Sequence, residues 1–117
     1  MSYVSGFVIP VPNGNKDAYI ASAKKAWPLF KEYGAVEVME TWGEAVPEGK
    51  QTDFRRAVDL QDGETVVFSW IVWPDKAASD RCEASMEDDE RWKDMDMPFD
   101  GKRMIFGGFA PIFHDKS

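Results

Sequence analysis

Thr65-Val66-Val67-Phe68-Ser69-Trp70-Ile71-Val72-Trp73 is apolar at every position except Thr65 and Ser69. β-Branched and aromatic side chains fit an extended, pleated backbone. Large apolar groups on both faces of one strand must be covered on both, so this run predicts a central strand. Before it stands Gln61-Asp62-Gly63-Glu64, whose Asp-Gly pair is a strong turn signal. Thr52 to Leu60 is therefore expected as the hairpin partner. After it, Pro74-Asp75 opens a helix with Ala78, Cys82 and Met86 at helical spacing.

Working outward, Tyr3 to Val11 reads as a strand with Tyr3, Phe7 and Ile9 on one face and Val4, Gly6 and Val8 on the other. Asn13-Gly14-Asn15 is a turn, Asn15 is the expected helix N-cap and Asp17 lies at the positive end of the helix dipole. Tyr19, Ala23, Ala26, Phe30 and Tyr33 recur at helical spacing, with Ile20 and Trp27 beside them. Pro28 is expected to kink this helix without ending it, and Gly34 to stop it. Ala35 to Trp42 is the second strand. Met104 to Phe113 is the last, its Gly107-Gly108 marking a bulge or a close backbone approach.

If Ala35–Trp42 and Thr52–Leu60 form one interrupted arm, the order is the split βαβ plan of α+β, ferredoxin-like folds. Two helices then cover one face of an antiparallel sheet, in a single domain spanning residues 1–117. Nothing in the chain is left for the other face, whose Val, Phe and Trp side chains exceed the apolar patch a monomer tolerates. A second copy, sheet against sheet, makes a dimeric α/β barrel. The expected partner is the protein itself.

The formal charge of −7 argues against nucleic acid or an anionic membrane as partner. The acidity is local: Asp75 to Asp100 holds ten acidic and four basic residues. Asp94-x-Asp96 with Asp100-Gly101 resembles a calcium loop only superficially, because Pro98 and Phe99 occupy a ligand position and the turn position that needs glycine. The run reads as a solvated helix end and loop. One cysteine, Cys82, excludes an intramolecular disulfide and a multi-cysteine zinc site, and one histidine, His114, excludes a multi-histidine metal site within the chain. With no signal-peptide pattern after Met1 and no apolar run near the roughly 20 residues that span a bilayer, a cytoplasmic protein is expected. No GxGxxG, P-loop or histidine cluster calls for a cofactor or metal.

Tyr3-Val4-Ser5-Gly6-Phe7-Val8, Pro28 to Ala35, Thr52-Asp53-Phe54-Arg55, Val66 to Ile71 and above all Met97-Pro98-Phe99-Asp100-Gly101-Lys102-Arg103-Met104-Ile105 followed by Gly107-Gly108-Phe109 resemble the YbaA-like family, a domain of unknown function. The resemblance covers nearly the whole chain and implies membership of the dimeric α/β-barrel superfamily. It implies no catalytic residue. Phe106 stands where the family pattern has tyrosine, removing the hydroxyl that a scheme using a phenol there would need, and Glu87 to Trp92 looks individual to this chain.

Candidate binding residues are few. If Arg55 and Arg56 lie on a strand they point to opposite faces, so one faces inward, where it could hold a carboxylate or phosphate or pair with Glu40 or Asp59. Trp42 and Trp70 are expected at strand ends or in the sheet, where they fill a core or line a pocket for a flat apolar ligand. Asp53 and Glu40 are further polar candidates. Cys82 falls on an apolar stripe and reads as a small core hydrophobe, and the Asp100 to Arg103 turn as structure. Two functional readings follow: a homodimer that binds a small apolar or aromatic ligand between sheet and helices, or a cofactor-free oxygenase or isomerase acting on a small aromatic or carbonyl compound. The second rests on fold-level analogy with related barrels that oxidise aromatic substrates without metal or flavin.

Overall fold

In the computed structural model, which describes residues 2–117, the apolar run becomes β3 (Glu64–Trp73), hydrogen-bonded on both sides. β1 (Tyr3–Pro12) pairs antiparallel along its whole length, from Tyr3 opposite Trp73 to Pro12 opposite Glu64. β2 (Glu37–Trp42) takes the other side and β4 (Ile105–Phe109) pairs with β1, so the order is β2-β3-β1-β4 with every pair antiparallel. α1 (Lys16–Glu32) links β1 to β2, and α3 (Lys76–Asp88) follows β3. A short α2 (Phe54–Ala57) lies between β2 and β3. This is the ferredoxin-like split βαβ plan.

Thr52–Leu60 is not a strand. Asp53 accepts the backbone N–H of Arg56 at 2.7 Å and that of Gly49 at 3.0 Å, turning the chain into α2. The place beside β3 goes to β2, in register from Glu37 opposite Val72 to Trp42 opposite Val67. The Gln61–Glu64 turn is present, but it joins α2 to β3. β4 is also shorter than the expected Met104–Phe113. Phe109 already faces Val4 near the start of β1, and Pro111 has no N–H for a ladder.

α1 runs through Pro28 to Glu32, as its spacing predicts, with Tyr19 and Leu29 its buried residues. Asn15 stands at its N-cap position as expected, but its side chain makes no cap hydrogen bond: the amide donates instead to the Pro98 carbonyl at 3.0 Å. Asp75 does cap α3, accepting from the Ala78 N–H at 2.8 Å. Gly34 ends the α1 unit at φ 110°, and a Cβ there would lie 3.3 Å from that of Ala78. Gly34→Ala is therefore expected to destabilise by about 1–2 kcal/mol, the cost of left-handed backbone for an L-residue. Urea denaturation checks this, and an unchanged midpoint would contradict it.

Strand alternation divides the sheet as predicted. Ile9, Val11, Val67, Ile71 and Trp73 face the helices and are buried with Tyr19, Ala78 and Cys82. On the other face stand Val4, Val8, Trp70, Met39 and Ile105, together with Phe68, which is 44% exposed, and Phe109, 59% exposed. Gly6 and Gly107 oppose each other there, and the Phe109 ring lies over both, 3.3 Å from where either Cβ would be. α2 adds Phe54, its ring 5.8 Å from that of Phe68. The single chain buries Pro10 and Val66 at one end of this face and leaves the rest only partly covered.

Candidate functional site

The helix face of the sheet is not filled evenly. α3 packs over β1 and β3 and leaves β4 at the rim, where Phe106 is 68% exposed. Between them lies a cleft of about 350 Å³. Its floor is Tyr3, Ser5 and Phe7 of β1 with Ile71 and Trp73 of β3. α3 supplies Ser79, Cys82, Glu83 and Met86, and Phe30 of α1 closes one end. Met104, Phe106 and the Gly107-Gly108 backbone form the mouth.

The floor is fixed by packing and one hydrogen bond. Trp73 Nε1 donates to Ser5 Oγ at 3.0 Å, which leaves the Ser5 hydroxyl hydrogen free for another acceptor. The Tyr3 ring lies across Gly108, where a Cβ would sit 2.1 Å from its hydroxyl oxygen. That is the close backbone approach the glycine pair predicts. Phe106 stacks on Phe7 at the mouth with centroids 6.5 Å apart. Burial pushes the Cys82 thiol up to about 11, which keeps it protonated at neutral pH and unfit as a nucleophile.

Phe30 is held from behind by the acidic segment. Its ring lies 4.9 Å from that of Trp92, whose Nε1 donates to Ser85 Oγ at 2.9 Å. Tyr33 donates to Asp89 at 2.7 Å, and Arg91 bridges Asp89 and Glu32 at 2.7 and 2.6 Å. Further on, Lys25 holds the Asp94 carbonyl at 2.9 Å and Ser22 that of Asp96 at 2.7 Å. The segment laces itself to α1, and among the described residues no three His, Cys, Asp or Glu are grouped to hold a metal.

The residues singled out from the sequence lie elsewhere. Glu40 and Trp42 share the helix face of edge strand β2. Tyr19 donates to Glu40 at 2.6 Å, and Lys16 lies 5.3 Å from the centre of the Trp42 ring. Desolvation raises the Glu40 carboxyl, partly offset by hydrogen bonds from Tyr19 and Ser69, although its edge position keeps the residue open to water. Trp70 is on the open face, donating to Glu37 at 3.3 Å. Arg55 and Arg56 are both exposed on α2, so the expected inward arginine does not arise, because helical backbone does not send neighbours to opposite sheet faces. Arg56 instead donates to the carbonyls of Gly49 and Lys50 at 2.8 and 3.2 Å and pairs with Glu48 and Asp53, each at 3.5 Å. None of these five residues lines the cleft. In the sequence the alternation from Tyr3 to Ile9 and the Cys82–Met86 stripe read as ordinary core, and only Gly107-Gly108 marks a close backbone approach.

Arg103 ties the chain just before β4. It grips Glu64 with two bonds of 2.8 and 2.7 Å, Asp100 at 2.9 Å and the Asp59 carbonyl at 2.8 Å. The arginine holds the Glu64 and Asp100 carboxyls below their ordinary range. Backbone N–H groups do the same for Asp53, and Arg91 for Asp89. A carboxyl lowered on folding stabilises above its unfolded pKa and loses that contribution as pH falls through the folded value. The urea midpoint is thus expected to fall progressively below about pH 4. Glu40, shifted the other way, offsets part of the loss. A midpoint that rises between neutral pH and about pH 3 would contradict these pairings.

The strand order, the one-sided helices and the cleft beneath α3 define a ferredoxin-like α+β protein. A crystal structure of a dimeric ferredoxin-like protein from an uncultured marine organism shares this fold, with a TM-score of 0.54 over 92% of this chain and 91% of that one at 11% identity. Sequence narrows the class further: the chain belongs to the family described as Protein of unknown function (DUF1428), whose model matches residues 2–101. It is 52% identical over 117 residues to the uncharacterized protein YbaA of Escherichia coli K12, covering 98% of this chain and all of that one. Its likeness to YbaA of Shigella flexneri has the same identity and extent.

Proposed function

We propose that the protein is a cytosolic homodimer that binds a small apolar or aromatic ligand in the cleft between the sheet and α3. The cleft carries this reading: its volume of about 350 Å³ falls within the roughly 300–1,000 Å³ of small-ligand sites. Rings and aliphatic groups make most of the wall, and the Ser5 hydroxyl offers one oriented donor. The open sheet face supports the dimer, in which a second copy covers Phe68, Trp70 and Phe109. The marine ferredoxin-like neighbour is itself described as dimeric. A reducing compartment suits the one buried cysteine, and no helix among the described residues is long and apolar enough to cross a membrane.

The oxygenase or isomerase reading asks for a base or nucleophile on the wall. Cys82 is protonated, Glu40 stands outside the cleft, and the two carboxylates that line it, Asp80 and Glu83, are exposed on α3 rather than held against the floor. Binding without chemistry is the better fit. The test is Gly108→Val, which drives a side chain into the Tyr3 ring at the mouth. Titrating small phenyl compounds against tryptophan fluorescence is expected to show at least a roughly tenfold loss of affinity, with the far-UV spectrum intact. Undiminished binding by this variant would overturn the assignment. Oxygen uptake with quinols or phenols would restore the enzyme reading.

A further inference from the structure

We infer that the cleft beneath α3 selects an apolar or aromatic body bearing a positively charged amine, because its wall is built from aromatic rings and its charged lining residues, Asp80 and Glu83, are both acidic. This rests on the ligand-binding reading above and adds the charge of the ligand. No lysine or arginine lines the cleft. A carboxylate or phosphate entering it would lose water and gain no counter-charge from the lining residues. Arg55 and Arg56, the arginines that the sequence offered as anion anchors, lie on α2 outside the cleft, and Arg56 is spent on the Gly49 and Lys50 carbonyls.

Three features favour a cation. Phe7, Phe30, Trp73 and Tyr3 present ring faces or edges around one space, and the electron-rich face of an aromatic ring attracts ammonium groups. Asp80 and Glu83 stand on the α3 side of the same space, one helical turn apart. Asp80 is paired with Lys76 at 2.8 Å, whereas Glu83 makes no ion pair among the described residues, so Glu83 is the available counter-charge. Finally, Glu83, Glu87 and Asp88 continue the acidity along the exposed side of α3, which extends a negative field beyond the mouth.

The experiment compares three probes of similar shape, 2-phenylethylamine, 2-phenylethanol and 3-phenylpropionate, by calorimetry at neutral pH and low salt. The amine is expected to bind roughly tenfold more tightly than the carboxylate, with the alcohol between them. Glu83→Gln and high salt should each bring the amine-to-carboxylate ratio toward one. Loss of all three probes in Gly108→Val places the binding in the cleft. A carboxylate that binds as tightly as the amine overturns this inference and leaves the cleft reading standing. A ratio unmoved by Glu83→Gln overturns the assignment to Glu83. Absence of binding by all three overturns the cleft reading and this inference together.

Discussion

Replacing Phe68 and Phe109 together by glutamate is expected to turn the proposed dimer into a folded monomer. Both side chains lie on the open face of the sheet, Phe68 opposite Val8 and Phe109 opposite Val4. The helix-face core of Ile9, Val67, Ile71 and Trp73 is on the other side and keeps its contacts. In an isologous face-to-face pairing every substitution occurs twice about the two-fold axis. Removing a central aromatic contact commonly costs about 2 kcal/mol or more, and each new carboxylate adds its desolvation. Four such changes weaken association by well over roughly a thousandfold. Sedimentation at micromolar concentration should therefore give about twice the 13.3 kDa chain mass for the wild type and the single-chain mass for the variant. Moderate salt should leave the wild-type boundary unchanged, since the proposed contact is apolar. A wild-type monomer with a folded spectrum would remove the barrel. A variant that stays dimeric would move the interface to the helices or the sheet edges.

What the sequence made legible was whatever one periodicity settles. The two-sided apolarity of Val66 to Trp73 gave the central strand, and the alternation from Tyr3 to Ile9 gave both faces of β1 correctly. Gly34 and Asp75 marked helix ends by local chemistry that needs no distant contact. Thr52–Leu60 misled because Thr52, Phe54, Val58 and Leu60 mimic a strand's alternation, while the deciding event is one carboxylate, Asp53, capturing two backbone N–H groups. Asn15 misled for the opposite reason: a suitable local cap was taken by a partner 83 residues away. The site suffered in the same way. Arginine and tryptophan draw attention by residue type, but the cleft is made where α3 stops short of β4, and only tertiary geometry sets that limit. Its lining of Tyr3, Ser5, Phe7 and Cys82 reads in sequence as ordinary core.

Trp73 joins the stability of the fold to the shape of the cleft, so its truncation is the second large effect expected. It ends β3 opposite Tyr3, is 2% exposed, and meets the Phe30 ring at 6.3 Å. Trp73→Ala removes the largest ring of the floor and orphans the contact with Phe30, at a cost of about 3–5 kcal/mol. For a domain whose whole stability is of the order of 5–15 kcal/mol, that is a large share. The melting temperature should fall by about 10 °C or more. Trp73→Phe keeps a ring but loses the donor to Ser5, 3.0 Å away, and is expected to cost about 1–2 kcal/mol. Because the residue faces the helices, neither change should alter the sedimentation of the folded protein, which separates this effect from the interface. Urea melts of the three proteins at one concentration check the ranking, since a dimer's stability depends on concentration. A loss below about 1 kcal/mol for Trp73→Ala would mean that α3 collapses into the vacated space. The cleft would then be a consequence of loose packing rather than a site held open by its own wall.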